Sequence, residues 1–92
     1  MDGIRFASRK EAKRYKELKL MVKAGMLVRF DRQVRYPLIV NGENVCAYIA
    51  DFVTYDFEGT RKVIDTKGFR TPAYKIKKKL MKAIYGIDVI EE

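Results

Sequence analysis

The sequence predicts an α/β (α+β) domain of order α-β-β-β-α-β, and three observations carry that expectation. A capped amphipathic segment opens the chain, and a second one with proline at its start lies near the end. Between them run strand-like stretches broken at Asn41-Gly42 and again near Gly59. No repeat, low-complexity tract or Pro/Ser-rich linker interrupts the pattern, so residues 1–92 read as a single domain, with 5–91 as its structured unit.

In the first segment, ASRKEAKRYKELKLMVKAG, Ser8 followed by Glu11 matches a capping box, and Ala12, Tyr15, Leu18 and Val22 form an apolar stripe. Gly25 is suited to close that helix, which the spacing predicts over residues 9–24. A loosely alternating run from Leu27 to Val40 predicts a first strand, and Asn41-Gly42 is a strong hairpin signal because both residues tolerate positive φ. The second strand is expected from Val45 to Asp56 and the third from Arg61 to Lys67. Thr71-Pro72 then reads as an N-cap with proline at the first helical position. The helix from Pro72 to Tyr85 places Ile76, Leu80, Ala83 and Ile84 on one face. Gly86 ends it, and Ile87–Ile90 is short and apolar enough for a last strand.

Composition removes several chemistries. There is no histidine, which excludes His-dependent zinc sites, Ser–His triads and Cys–His dyads. The one cysteine, Cys46, cannot form an intramolecular disulfide, fits a reducing cytoplasm, and sits in a strand-like run as a small hydrophobe. No apolar run approaches the roughly 20 residues that span a bilayer, and no signal-peptide pattern opens the chain. Twenty Lys and Arg against twelve Asp and Glu give a net charge of +8, which favours polyanions, nucleic acid before an anionic membrane surface.

The hairpin IADFVTYDFEGTRKVIDTKG carries Asp51, Asp65 and Lys67 among apolar neighbours, where charge is costly unless paired or metal-bound. A two-residue loop at Glu58-Gly59 would send Asp51 and Asp65 to opposite faces. A three-residue loop, Phe57-Glu58-Gly59, pairs Asp56 with Thr60 and Asp51 with Asp65, and Gly59 supplies the left-handed third position that such a loop needs. In that register Val63, Asp65 and Lys67 share a face with Val53 and Asp51. Two close carboxylates without His or Cys suit a hard cation such as Mg²⁺. The alternative is an ordinary cross-strand ion pair between Asp51 and Lys67, with Asp65 solvated.

At these residues the chain resembles the PD-(D/E)XK nuclease superfamily. Asp51 fits the acid of the second strand, with Ala50 in place of the usual proline before it, and Asp65-Thr66-Lys67 fits the (D/E)-x-K triplet. More narrowly, it resembles a family of small, often phage-borne members of that superfamily, long labelled only as a domain of unknown function. That likeness runs from Phe6 to Ile90 through F-x-S-x-x-E-A-x-R-Y, A-D-F, D-x-K-G and T-P-x-Y-x-x-K. It implies a restriction-endonuclease-like core, a mixed sheet flanked by helices. It also implies phosphodiester hydrolysis by a metal-bound, lysine-assisted water. Asp51, Asp65 and the Thr66 carbonyl would hold Mg²⁺, with Mn²⁺ able to substitute, and Lys67 would orient the water. Glu11 would complete the site, although its place in the capping box offers it a purely local role; Glu17 is the fallback.

Gln33 is a polar residue in a semi-apolar run, either near the site or on a surface strand. The start of the second helix, with Arg70 and Lys75 beside it, suits phosphate, and Lys78, Lys79 and Lys82 could track a backbone or form a solvated face. Tyr15 and Tyr74 could stack on bases or pack in the core. The expectation is a Mg²⁺-dependent endodeoxyribonuclease of low sequence specificity, structure-selective or nicking, acting on double-stranded or branched DNA. A homodimer is expected, with no membrane partner, no nucleotide cofactor and a cytoplasmic setting, that of a bacterial host if phage-encoded. The alternatives are a Holliday-junction resolvase and, from another class, a non-catalytic nucleic-acid-binding protein on the same core.

Overall fold

Both helices begin where a side-chain oxygen can receive the orphan amides of a first turn. The computed structural model describes residues 3–66 and 71–92. In it Ser8 Oγ accepts from the Glu11 amide at 3.1 Å and opens α1 (Arg9–Lys23). Thr71 Oγ1 accepts from the Tyr74 amide at 3.1 Å and opens α2 (Pro72–Tyr85), which Gly86 closes at a φ of 69°. The strands are β1 (Arg29–Val40), β2 (Glu43–Tyr55), β3 (Arg61–Asp65) and β4 (Ile90–Glu91). They form one sheet in the order β1-β2-β3-β4, antiparallel except for the parallel β3–β4 pair, so the fold is α+β with a mixed sheet. A parallel neighbour needs a crossover, and α2 is that crossover.

The helices pack on opposite faces. Tyr15 and Leu18 of α1 meet Leu27, Phe52 and Ile64, whereas Tyr74 and Met81 of α2 meet Tyr36, Leu38, Tyr48, Val53 and Val63. Two sequence expectations need correction here. Leu80 and Ile84 pack against the core as expected, but the inward face of α2 is set by Tyr74 and Met81, seven residues apart, while Ile76 is 60% exposed and Ala83 is also exposed. Tyr74 is buried with its ring 6.3 Å from that of Tyr48, and burying so large a side chain sets the helix rotation. The last strand is Ile90–Glu91 rather than Ile87–Ile90, because Val89 is buried in the α2-side core and Ile87 packs against it.

The β2–β3 turn has three residues. The Asp56 amide donates to the Thr60 carbonyl at 3.1 Å, Asp56 Oδ1 accepts from the amides of Glu58 and Thr60, and Gly59 sits at a φ of 85°. The ladder then runs Tyr55–Arg61, Thr54–Lys62, Val53–Val63 and Phe52–Ile64, and one further step sets Asp51 across from Asp65. A side chain at Gly59 meets no neighbour, so the cost of adding one is conformational. Gly59→Ala should therefore destabilise the fold by about 1–2 kcal/mol, the scale of a left-handed L-residue, as measured by urea unfolding. An unchanged midpoint would mean that the turn does not depend on glycine.

A second feature of the sheet prepares the site. Val34, Tyr36, Leu38, Tyr48 and Ala50 face α2, yet Phe30 and Phe52, of the same parity along their strands, face α1. Both strands therefore turn over between the pairs Val34–Ala50 and Arg32–Phe52. The residues at that point are Gln33, with a φ of 51°, and Asp51. Because both strands turn together, the pairing register is preserved across the inversion.

Candidate active site

Asp51, within β2, and Asp65, the last residue of β3, are 3% and 0% exposed, one step beyond the Phe52–Ile64 pair that the three-residue turn aligns. Asp51 Oδ2 accepts from the Thr66 amide at 2.8 Å and from Thr66 Oγ1 at 3.0 Å. Asp65 Oδ2 accepts from the Tyr48 hydroxyl at 2.9 Å. Burial first, and the Asp65 charge second, push the Tyr48 hydroxyl far above its ordinary value, so it remains a donor. Each carboxylate is thus held by a fixed donor, as metal-binding acids commonly are. Glu91 lies on the other side of Asp65 in the sheet, where its Oε2 accepts from the Tyr74 hydroxyl at 2.9 Å. Lys67 and Arg70, both singled out in the sequence, lie outside the described residues.

Glu11 serves the helix and the sheet at once. Its amide completes the Ser8 cap, but its carboxylate does not return to the Ser8 amide as a full capping box would. Oε1 instead accepts from the Ala7 amide at 3.1 Å, and Oε2 accepts from Gln33 Nε2 at 2.7 Å. Arg32 Nη2 stands 3.8 Å from the same oxygen, with its guanidinium 4.6 Å from the Phe6 ring centre. A carboxylate that is 2% exposed is therefore directed at the point where the sheet turns over opposite Asp51. Glu17, by contrast, is exposed and pairs with Arg14 at 3.2 Å. The two roles of Glu11 can be separated. Ser8→Ala should cost about 1 kcal/mol in stability by removing the cap alone. Glu11→Gln should cost more, because it also disturbs the buried bonds to the Ala7 amide and Gln33. Thermal unfolding of the two variants checks both.

The lysines of α2 divide into two classes. Lys78 pairs with Glu91 at 3.3 Å and Lys82 with Asp88 at 2.9 Å. Lys75 and Lys79 are exposed, without an ion pair among the described residues, beside an open groove of about 400 Å³ over Val89. Tyr15 and Tyr74 are both buried in the core rather than presented for stacking.

A family model described as "Protein of unknown function (DUF1064)" matches residues 1–89. The chain belongs to this family. No curated protein and no solved structure matches it.

The match spans every candidate residue from Glu11 to Lys82 in this DUF1064 chain. Among the described residues no three acids, cysteines or histidines gather closely enough to hold a metal on their own. Two buried carboxylates on neighbouring strands nevertheless fit the hard-cation pattern, in which Mg²⁺ takes one or two carboxylates and completes its shell with water and phosphate. Sequence reasoning missed Tyr48 and Arg32. Tyr48 is indistinguishable from an ordinary inward aromatic until β3 is placed beside it. Arg32 adjoins Gln33, but only the inversion of the strand shows that it turns toward α1.

Proposed function

We propose that this chain is a metal-dependent endonuclease of the PD-(D/E)XK type, hydrolysing DNA phosphodiester bonds with low sequence specificity. The observation that carries this reading is the β2–β3 register, which sets buried Asp51 across from buried Asp65 directly before Thr66-Lys67. Asp51 and Asp65 would hold Mg²⁺ or Mn²⁺ together with the Thr66 carbonyl. When bound, the cation polarises the phosphate and makes a water nucleophilic at neutral pH. Tyr48 and Thr66 keep the two carboxylates oriented. Glu11 braces the inverted segment through Gln33, and the resemblance assigns to Lys67 the positive charge that would offset the one developing on the phosphate. A net charge of +8 supports contact with the phosphate backbone more than base readout. A homodimer would supply two cutting centres.

The test is incubation with supercoiled plasmid, single-stranded DNA and a four-way junction in Mg²⁺, Mn²⁺ or EDTA. Cleavage is expected with either metal and not with EDTA. Strong preference for the junction, with paired symmetric cuts, would identify a resolvase. Binding without cleavage of any substrate would overturn the enzymatic reading in favour of a non-catalytic nucleic-acid-binding protein.

A further inference from the structure

The first turns of α1 carry Lys10, Lys13 and Arg14 on one side of the helix, and they line a groove with Glu17, Glu92 and Thr66. The groove holds about 330 Å³ and lies on the other face of the sheet from the lysines of α2. Its three cations are not equivalent. Arg14 is committed: its Nε lies 2.9 Å from Glu92 Oε1, its Nη2 donates to Glu92 Oε2 at 3.2 Å, and its Nη1 reaches Glu17 at 3.2 Å. Lys10 and Lys13 are exposed and make no ion pair among the described residues.

The position of the groove gives those two charges a use. Its inner end is Thr66, whose amide and hydroxyl both hold Asp51. Glu92, which fixes Arg14, is itself anchored by its amide on the Asp65 carbonyl at 2.9 Å. The adjacent Glu91 does the matching job on the opposite face, holding Lys78 and leaving Lys75 and Lys79 exposed. The carboxylate pair is therefore bracketed by two uncommitted lysine pairs, one from each helix.

We infer that Lys10 and Lys13 form a second phosphate-binding site, which seats the nucleic-acid backbone in the α1 groove on the far side of the acids from α2. The inference rests on the nucleic-acid reading above but not on catalysis. Backbone passing through the site is gripped on both sides, and each lysine–phosphate contact releases counterions on binding.

The test uses full-length protein carrying Asp65→Asn, so that DNA stays intact, and measures duplex binding by fluorescence anisotropy across a salt series. Lys10→Gln/Lys13→Gln should weaken binding and reduce the slope of log K against log salt by about 1.8, two contacts at about 0.9 each. Lys16→Gln/Lys23→Gln removes the same charge from another face of α1 and should leave the slope within experimental error. Equal losses in the two doubles would reduce the effect to net charge and overturn the proposal, as would no loss in either. A selective loss in the first double would sustain it even if the parent protein never cuts DNA.

Discussion

Asp65→Asn is expected to abolish DNA cleavage while leaving the fold and DNA binding in place. The substitution keeps the shape of the side chain and its ability to accept from Tyr48, so the packing around the end of β3 should survive. It removes the negative charge from the buried carboxylate at the end of β3. A neutral amide is a poor ligand for Mg²⁺ and cannot balance its charge. The rate should fall at least about a hundredfold, the scale on which a single electrostatic contribution to a developing charge is lost. Plasmid nicking under saturating Mg²⁺, with unfolding followed on the same sample, checks this. Full activity in the variant would place the site elsewhere.

The second large effect concerns a residue that would touch no substrate. Tyr48→Phe deletes one oxygen and with it the 2.9 Å bond to Asp65. Removing a buried donor from a carboxylate costs about 1–3 kcal/mol, so a lower melting temperature is expected. A purely structural role ends there. A positioning role also raises the Mg²⁺ concentration needed for half-maximal activity, by about 10–100-fold, with partial recovery of rate at high metal. A metal titration separates the two, and an unaltered requirement would confine Tyr48 to the core. The same hydroxyl contributes an alkaline limit to stability. Its folded value lies above the unfolded one of about 10, so its contribution is complete below about pH 10 and is lost as pH rises beyond that.

Much of the fold was legible because its signals are local. Ser8, Thr71-Pro72 and Gly86 mark helix ends through chemistry confined to one turn, and Asn41-Gly42 and Gly59 do the same for hairpins. Gly59 went further, since the loop length it permits also fixes which residues face each other across β2 and β3. The rotation of α2 was not legible, because Ile76 is as apolar as Met81 and only the location of Tyr48 and Val89 decides between them. Nor was the turning over of β1 and β2. Glutamine gives no sign that it will take a positive φ, and the bond from Glu11 that accompanies it spans 22 residues. For the candidate site, the spacing and Gly59 predicted the register that aligns the strands carrying the two carboxylates. Their donors gave no such signal, because Thr66 and Tyr48 look like any strand residues until the neighbouring strand is set beside them.

The inversion at Gln33 and Asp51 also divides the sheet into two parts with separate histories open to them. Beyond it, the distal hairpin ending at Asn41-Gly42 pairs, among the described residues, only with itself, while the segment from Phe52 onward takes its alignment from the turn at Gly59. Insertions or deletions that lengthen or shorten the distal hairpin evenly on both strands can therefore accumulate without moving one carboxylate relative to the other. A change of one residue between Asp51 and Asp65 cannot. Relatives within the family should vary freely in the first interval and keep the second constant, a difference that an alignment of their sequences would expose.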